Sequence, residues 1–281
     1  MAKTENKEVA ELKTGGALAQ VPEYLRDKGS AVMPGIEASD LILPRIKLLQ
    51  SISSEVEAFD EAQPGVFWHN VLGIPLGSQI DFIIASFRKK YILFAPLGDS
   101  RKILARAEDG VNWSPPNEKF EVKIKRVAEK QVWETKPTVK ASGLDLFGSS
   151  VKGDPNSPPA SVLIYEYLVY LPDYPQYSPM LLSLARSQIK PGKDLNSKIS
   201  FRGIPMQGGR YTATVTEQVG DEGPFKNYLF TSNGFATEAE FEIVSKMAAD
   251  FGDYKVADEE GIAAETAVDG AAAGDATRQD I

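Results

Sequence analysis

Cysteine and histidine carry much of the nucleophilic and metal chemistry of proteins, and this sequence is nearly without both. It has no cysteine, which removes thiolate nucleophiles, disulfides and cysteine-held zinc or iron–sulfur centres together. It has one histidine, His69, whereas a histidine-ligated metal site uses two or more. A histidine triad would have to rest on His69 alone. That residue stands in Phe67-Trp68-His69-Asn70, beside aromatics and before a turn, so a structural role near a strand end is expected. The phosphate loop Gly-x-x-x-x-Gly-Lys-Ser/Thr is absent, as is a Gly-x-Gly-x-x-Gly between strand and helix. Gly203-Ile204-Pro205-Met206-Gln207-Gly208-Gly209 reads as a tight turn rather than a cradle.

What the sequence does hold is basic residues interleaved with aromatics. Between Leu181 and Arg210 stand Arg186, Lys190, Lys193, Lys198, Arg202 and Arg210 against a single acid, Asp194. Such a segment is a local positive field able to attract a polyanion. A second cluster, Phe87-Arg88-Lys89-Lys90-Tyr91, sets a basic triplet between two aromatics at an expected strand–turn–strand junction. A third is Lys119, Lys123, Lys125, Arg126 and Lys130, followed by Trp133. This pattern suits a groove that tracks a phosphate backbone and stacks bases. The bland alternative for each cluster is a solvated outer strand or helix face. Trp68, Trp113 and Trp133 are each more often core than platform.

An enzyme reading is available but generic. Glu121-Val122-Lys123 is a Glu-x-Lys on an expected strand, with Asp109 twelve residues upstream. Such carboxylates could hold magnesium and activate water for a nuclease. The same motif is frequent on any amphipathic strand, where Glu121 and Lys123 simply share the solvent face. The expectation is a binding protein with no catalytic residues and no cofactor, the nuclease ranking third.

The elements that would position these residues are mostly strands. Leu41–Leu49, Gly65–Trp68, Ile80–Phe87, Lys90–Ala95, Phe120–Val127, Ser161–Tyr170, Tyr211–Glu217 and Asn227–Thr231 are rich in β-branched and aromatic residues and broken by Gly and Pro. The last two are expected to pair across a Gly220–Gly223 turn. Helices are few. Thr237 with Glu240 makes a capping box, and Phe241, Val244, Met247, Ala248 and Phe251 follow at helical spacing. A shorter helix is expected from Pro191 through Ile199, and Lys136–Pro159 reads as a turn-rich loop. The fold expectation is mainly β with minor α: an oligonucleotide-binding-like β-barrel core with two flanking helices and disordered termini.

Charge divides the chain. Its formal net charge is −8; residues 252–281 carry −6 and residues 1–40 carry −2, leaving residues 41–251 neutral. The domain expectation is therefore a flexible arm over residues 1–40, a β-rich nucleic-acid-binding core over 41–251 and an acidic disordered tail over 252–281. The tail has no aromatic after Tyr254 and too little apolar surface to offset its ordering entropy. No run of 18 or more apolar residues exists and the N-terminus has no apolar signal region, so neither a membrane partner nor export is expected and a cytoplasmic location is.

Several passages resemble a group of bacteriophage proteins encoded among replication and recombination genes. They are Leu43-Pro44-Arg45-Ile46-Lys47-Leu48-Leu49-Gln50, Ser54-Glu55-Val56, Pro64-Gly65, Ser183-Leu184-Ala185-Arg186-Ser187, Lys193-Asp194-Leu195-Asn196 and Gly234-Phe235. The resemblance covers roughly residues 41–251. It implies a phage single-stranded-DNA-binding protein with an oligonucleotide-binding barrel and an acidic tail that meets replication or recombination proteins. This tail ends Gln279-Asp280-Ile281, without the dense acidic run and closing Pro-Phe of bacterial counterparts. The expected DNA-binding residues are Arg88, Lys89, Lys90, Tyr91, Lys123, Lys125, Arg126, Trp133, Arg186, Lys190, Lys193, Lys198 and Arg202. Self-association is left open. The rival from another class is a phage structural or host-interaction protein whose basic clusters are merely surface.

Overall fold

Alternation with period two governs the longest strand, Gln79–Phe94. Ile80, Phe82 and Ile84 enter one buried cluster, while Ile83 and Ala85 enter another on the opposite face. The structure, a computed structural model, describes residues 43–94, 103–114, 138–150, 154–220 and 223–251. Both tails, the expected strand Phe120–Val127 and the cluster from Lys119 to Trp133 lie outside the described residues.

The described strands are β1 (Arg45–Leu48), β2 (Phe67–His69), β3 (Ile74–Gly77), β4 (Gln79–Phe94), β5 (Ile103–Ala107), β6 (Ser161–Tyr170), β7 (Met180–Ala185), β8 (Gly209–Gly220) and β9 (Gly223–Phe235). The helices are α1 (Ser54–Ala58), α2 (Val139–Ser142), α3 (Ile189–Ser200) and α4 (Glu238–Phe251). The strands form one sheet in the order β3-β2-β1-β7-β6-β4-β8-β9, with β5 added to β4. Only the β1–β7 pair is parallel among them. The chain is thus mainly β with few helices, and its sheet curls into a half-barrel.

Tertiary pairing explains the curl. β6 follows one edge of β4 from Ile83 to Leu93, so β8 (against Gln79–Ile83) and β5 (against Tyr91–Phe94) share the other edge. A bulge between Ile84 and Ser86 bends β4. The concave side is filled by Ile46, Phe67, Phe82, Tyr167, Leu182, Tyr211 and Phe230, among others. Gln50, just past β1, reaches the outer edge of β9: its Nε2 donates to Lys226 O and its Oε1 accepts from Lys226 N, both at 2.9 Å. Phe67 stacks on Tyr228 beside this link, centroids 5.7 Å apart. One side-chain amide therefore acts as a strand partner and draws the far parts of the sheet together.

α4 covers the convex face, burying Val244 and Met247 against Ile83, Ala85, Leu168 and Leu181. Its capping box is formed: Glu240 N donates to Thr237 Oγ1 at 3.3 Å and Thr237 N donates to Glu240 Oε2 at 2.8 Å. The expected β8–β9 hairpin is present, Gly220 opposite Gly223. Two expectations need correction. Residues 80–87 and 90–95 are not two strands about a turn; β4 is continuous, because Arg88 and Lys90 pair with a buried acid on β6. The stretch from Lys136 to Pro159 is not wholly loop, since Thr138 caps α2 by accepting from Ala141 N at 3.2 Å. Among the described residues no helix is long and apolar enough to cross a membrane.

Candidate nucleic-acid interface

The basic triplet of β4 belongs largely to the fold. Glu166 on β6 is fully buried, and Lys90 Nζ lies 3.0 Å from its Oε2. Arg88 Nε and Nη2 both lie 2.5 Å from Glu166 Oε1, and Ser183 Oγ lies 3.5 Å from Oε2. Burial pushes the Glu166 carboxyl up, but Lys90 and Arg88 outweigh it and hold the group below the usual carboxylate range. Lys90, with no exposed surface, cannot meet a surface phosphate, and Tyr91 is packed with Leu93, Leu104 and Trp113. Lys89 is the exposed member of the quartet, its ammonium 5.2 Å from the Tyr91 ring. Lys90 and Tyr91 therefore leave the surface set. Lys123, Lys125, Arg126 and Trp133 lie outside the described residues.

The segment from Arg186 to Arg210 makes the more coherent surface. Arg186 opens a short 3-10 turn with φ 51° and is half-buried. α3 then seats Leu195 in the core. Tyr167 Oη lies 2.9 Å from Asn196 Oδ1 and 3.2 Å from the Gly192 carbonyl, and its burial raises the phenol's pKa. That fixes which helix face points outward. On it, Lys198 is paired to Asp194 one turn away, whereas Lys190 and Lys193 are exposed and have no carboxylate partner among the described residues. Past the helix, Arg210 is paired to Glu240. The Arg202 guanidinium stacks 5.3 Å from the Tyr211 ring and 4.8 Å from the Phe235 ring.

α3 runs alongside β9. Asn227 Nδ2 donates to Ser187 O at 3.2 Å at one end, and Arg202 meets Phe235 at the other. Between them is a groove of about 290 Å³ lined by Lys190, Pro191, Asp194, Thr216, Gln218 and the Tyr228–Phe230 stretch. Twelve helical residues at about 1.5 Å each give a strip roughly 18 Å long.

Other singled-out residues serve the fold. His69 ends β2, buried, with its Nδ1 accepting from Leu72 N at 3.1 Å and its ring edge-on to Tyr177; burial lowers its pKa. Trp68 and Trp113 are core. Asp109 accepts from Val111 N at 2.8 Å and Asn112 N at 2.7 Å, closing a turn. Glu121, its supposed metal partner, lies outside the described residues. Two exposed rings were not singled out as binding residues in the sequence: Phe201, 89% exposed, and Phe235, 67% exposed. The adjacency Phe201-Arg202-Gly203 was the available signal, an aromatic and a cation at a helix end.

No curated protein and no solved structure matches this chain. A family model described as Pam3 phage gp34-like protein matches residues 13–257 of the 281. That span takes in the curled sheet, the α3 strip and the hairpin, and the chain belongs to this Pam3 phage gp34-like family.

Proposed function

We propose that the chain binds single-stranded DNA without reading its sequence, in phage DNA replication or recombination. One observation carries the reading: Lys190, Lys193 and Arg202, cations without a carboxylate partner among the described residues, stand on α3 and just past its end, Lys190 lining the groove against the β8–β9 hairpin, and the exposed rings Phe201 and Phe235 adjoin Arg202 in the chain and in space respectively. Phosphates meeting such cations release counterions, which favours binding of any sequence. Open rings suit bases that are free to leave a stack, which duplex does not offer. We further read the curled sheet with α3 packed beside it as an oligonucleotide-binding-like barrel. The chain acts, in this reading, as a binder without a chemical step, in the cytoplasm of the infected cell.

The test is a salt-titrated titration with single-stranded oligothymidylate and with duplex of equal length. Tighter binding of the single strand is expected. Three phosphate contacts give a slope of log affinity against log salt of roughly −2, and Lys190→Ala with Lys193→Ala should flatten it by roughly 1.4. Absence of single-strand binding at low salt would reject the reading and favour a phage structural or host-interaction role for the same surface.

A further inference from the structure

Gly209 begins β8 where a side chain would not fit. A Cβ there would lie 2.6 Å from Tyr211 Oη and 2.8 Å from Arg202 Nη1, so glycine is what admits the guanidinium. Arg202 is thereby held as a layer between two rings, buried Tyr211 beneath and Phe235 above, at 5.3 Å and 4.8 Å. Its Nη1 is shielded from solvent and has no hydrogen-bond partner among the described residues. Neighbouring charges are already matched or engaged. Arg210 is paired to Glu240, and the Asp81 carboxylate accepts from Thr212 Oγ1 and Asn233 Nδ2, each at 2.6 Å. Among the described residues no carboxylate pairs with the guanidinium, and the Asp81 carboxylate is held by neutral donors. Phe235 is 67% exposed, so its far face is open.

The flank decides what that face suits. Thr231, Ser232, Asn233 and Gly234, which lead up to Phe235 on β9, are all exposed. A protein-binding patch concentrates apolar and aromatic area at its core, whereas here Phe235 stands in a polar strand over a cation, and the other exposed ring, Phe201, precedes that same cation in the chain. A planar, polar partner carrying negative charge meets all three features: an unpaired base lies flat on the ring while its phosphate approaches the guanidinium. We infer that Phe235, backed by Arg202 on Tyr211, is a base-stacking platform of the single-strand site. The inference rests on the single-strand reading and names the residue that contacts bases rather than backbone.

The experiment compares full-length wild type, Phe235→Trp and Phe235→Ala against oligothymidylate and an abasic oligonucleotide of the same length. Trp68 and Trp113 are buried, and a Trp133→Phe background removes the third tryptophan, so the fluorescence of Phe235→Trp above that background reports the platform. That extra fluorescence should be quenched by oligothymidylate and little changed by the abasic strand. Phe235→Ala should bind oligothymidylate about 5- to 150-fold more weakly, the loss of one stacked base, and bind the abasic strand as wild type does. An exposed ring contributes little to stability, so thermal melting of Phe235→Ala should match wild type. If wild type binds the single strand but neither substitution changes affinity or fluorescence, the platform is overturned and the single-strand reading stands. If wild type binds no single strand at all, both fall together.

Discussion

Lys90 shows at the residue scale how charge in a sequence can mislead about surface. Three consecutive cations, Arg88-Lys89-Lys90, look like a phosphate-binding face, yet alternation sends Lys89 one way and its neighbours the other, toward Glu166. An ammonium with no exposed surface is tolerable only because a buried carboxylate lies 3.0 Å away with further donors on it. Removing one partner leaves the other as an uncompensated buried charge. Glu166→Gln should therefore destabilise the protein by about 3–5 kcal/mol, whereas Glu166→Leu combined with Lys90→Met and Arg88→Met, which removes every charge of the cluster, should recover most of that loss. Urea unfolding of the two variants checks this; a single variant as stable as wild type would mean that Lys90 sheds its charge or reaches water. The pH dependence follows with a definite sign. Glu166 is held below its ordinary pKa in the folded state, so its contribution is complete above the unfolded carboxylate range, about 4.3, and is lost as pH falls further. Glu166→Gln should lack that part of the acid-side loss.

At the scale of elements, α3 matters because it carries the strip, and its seat depends on Gly192. A Cβ at that position would lie 2.8 Å from Tyr165 Cδ2 and 3.1 Å from Leu184 Cδ1, both on core side chains with little room to shift. Alanine usually improves a helix by up to about 1 kcal/mol over glycine, but overpacking costs about 1–3 kcal/mol. Gly192→Ala should thus be destabilising on balance, lifting α3 and lowering single-strand affinity without touching a charge; a melting temperature at or above that of wild type would show that the helix has slack. The same element shows what the sequence could and could not disclose. Helix α4 was legible because Thr237, Glu240 and the apolar spacing are all local signals, and the β8–β9 hairpin because glycines bracket two β-branched runs. β7, Met-Leu-Leu-Ser-Leu-Ala, was missed because a short continuous apolar run has no period to identify it, and only its place between β1 and β6 makes it a strand. The α3 cations were legible as a cluster. Their pairing was not, since Arg210 meets an acid thirty residues away on α4, and neither was the Arg202–Phe235 stack, whose partners lie on separate elements.

For the whole molecule, the single-strand reading together with the distribution of charge predicts a competition. Residues 41–251 are neutral overall, yet the exposed side of α3 holds cations with no carboxylate partner among the described residues, while residues 252–281 carry −6 and follow α4 directly in the chain. A tethered polyanion is present at its own protein at an effective concentration on the order of 1 mM whenever the tether can span the distance. If it occupies the strip with a dissociation constant near 0.1 mM, a value ordinary for a few screened charges, DNA must displace it and apparent affinity falls roughly tenfold. Salt weakens both interactions, but the self-contact vanishes first, because about 10 Å of screening at 0.1 M already separates the weaker pair of polyions. Deleting residues 252–281 should therefore tighten single-strand binding severalfold at low salt, with the two proteins converging as salt rises, and should steepen the salt slope of the truncated form. Fluorescence anisotropy of a labelled oligothymidylate across a salt series measures this directly. Equal affinities at every salt concentration would reject self-competition and leave the tail to solubility or to other partners, and loss of folding on truncation would show that these residues belong to the folded body rather than to a tail.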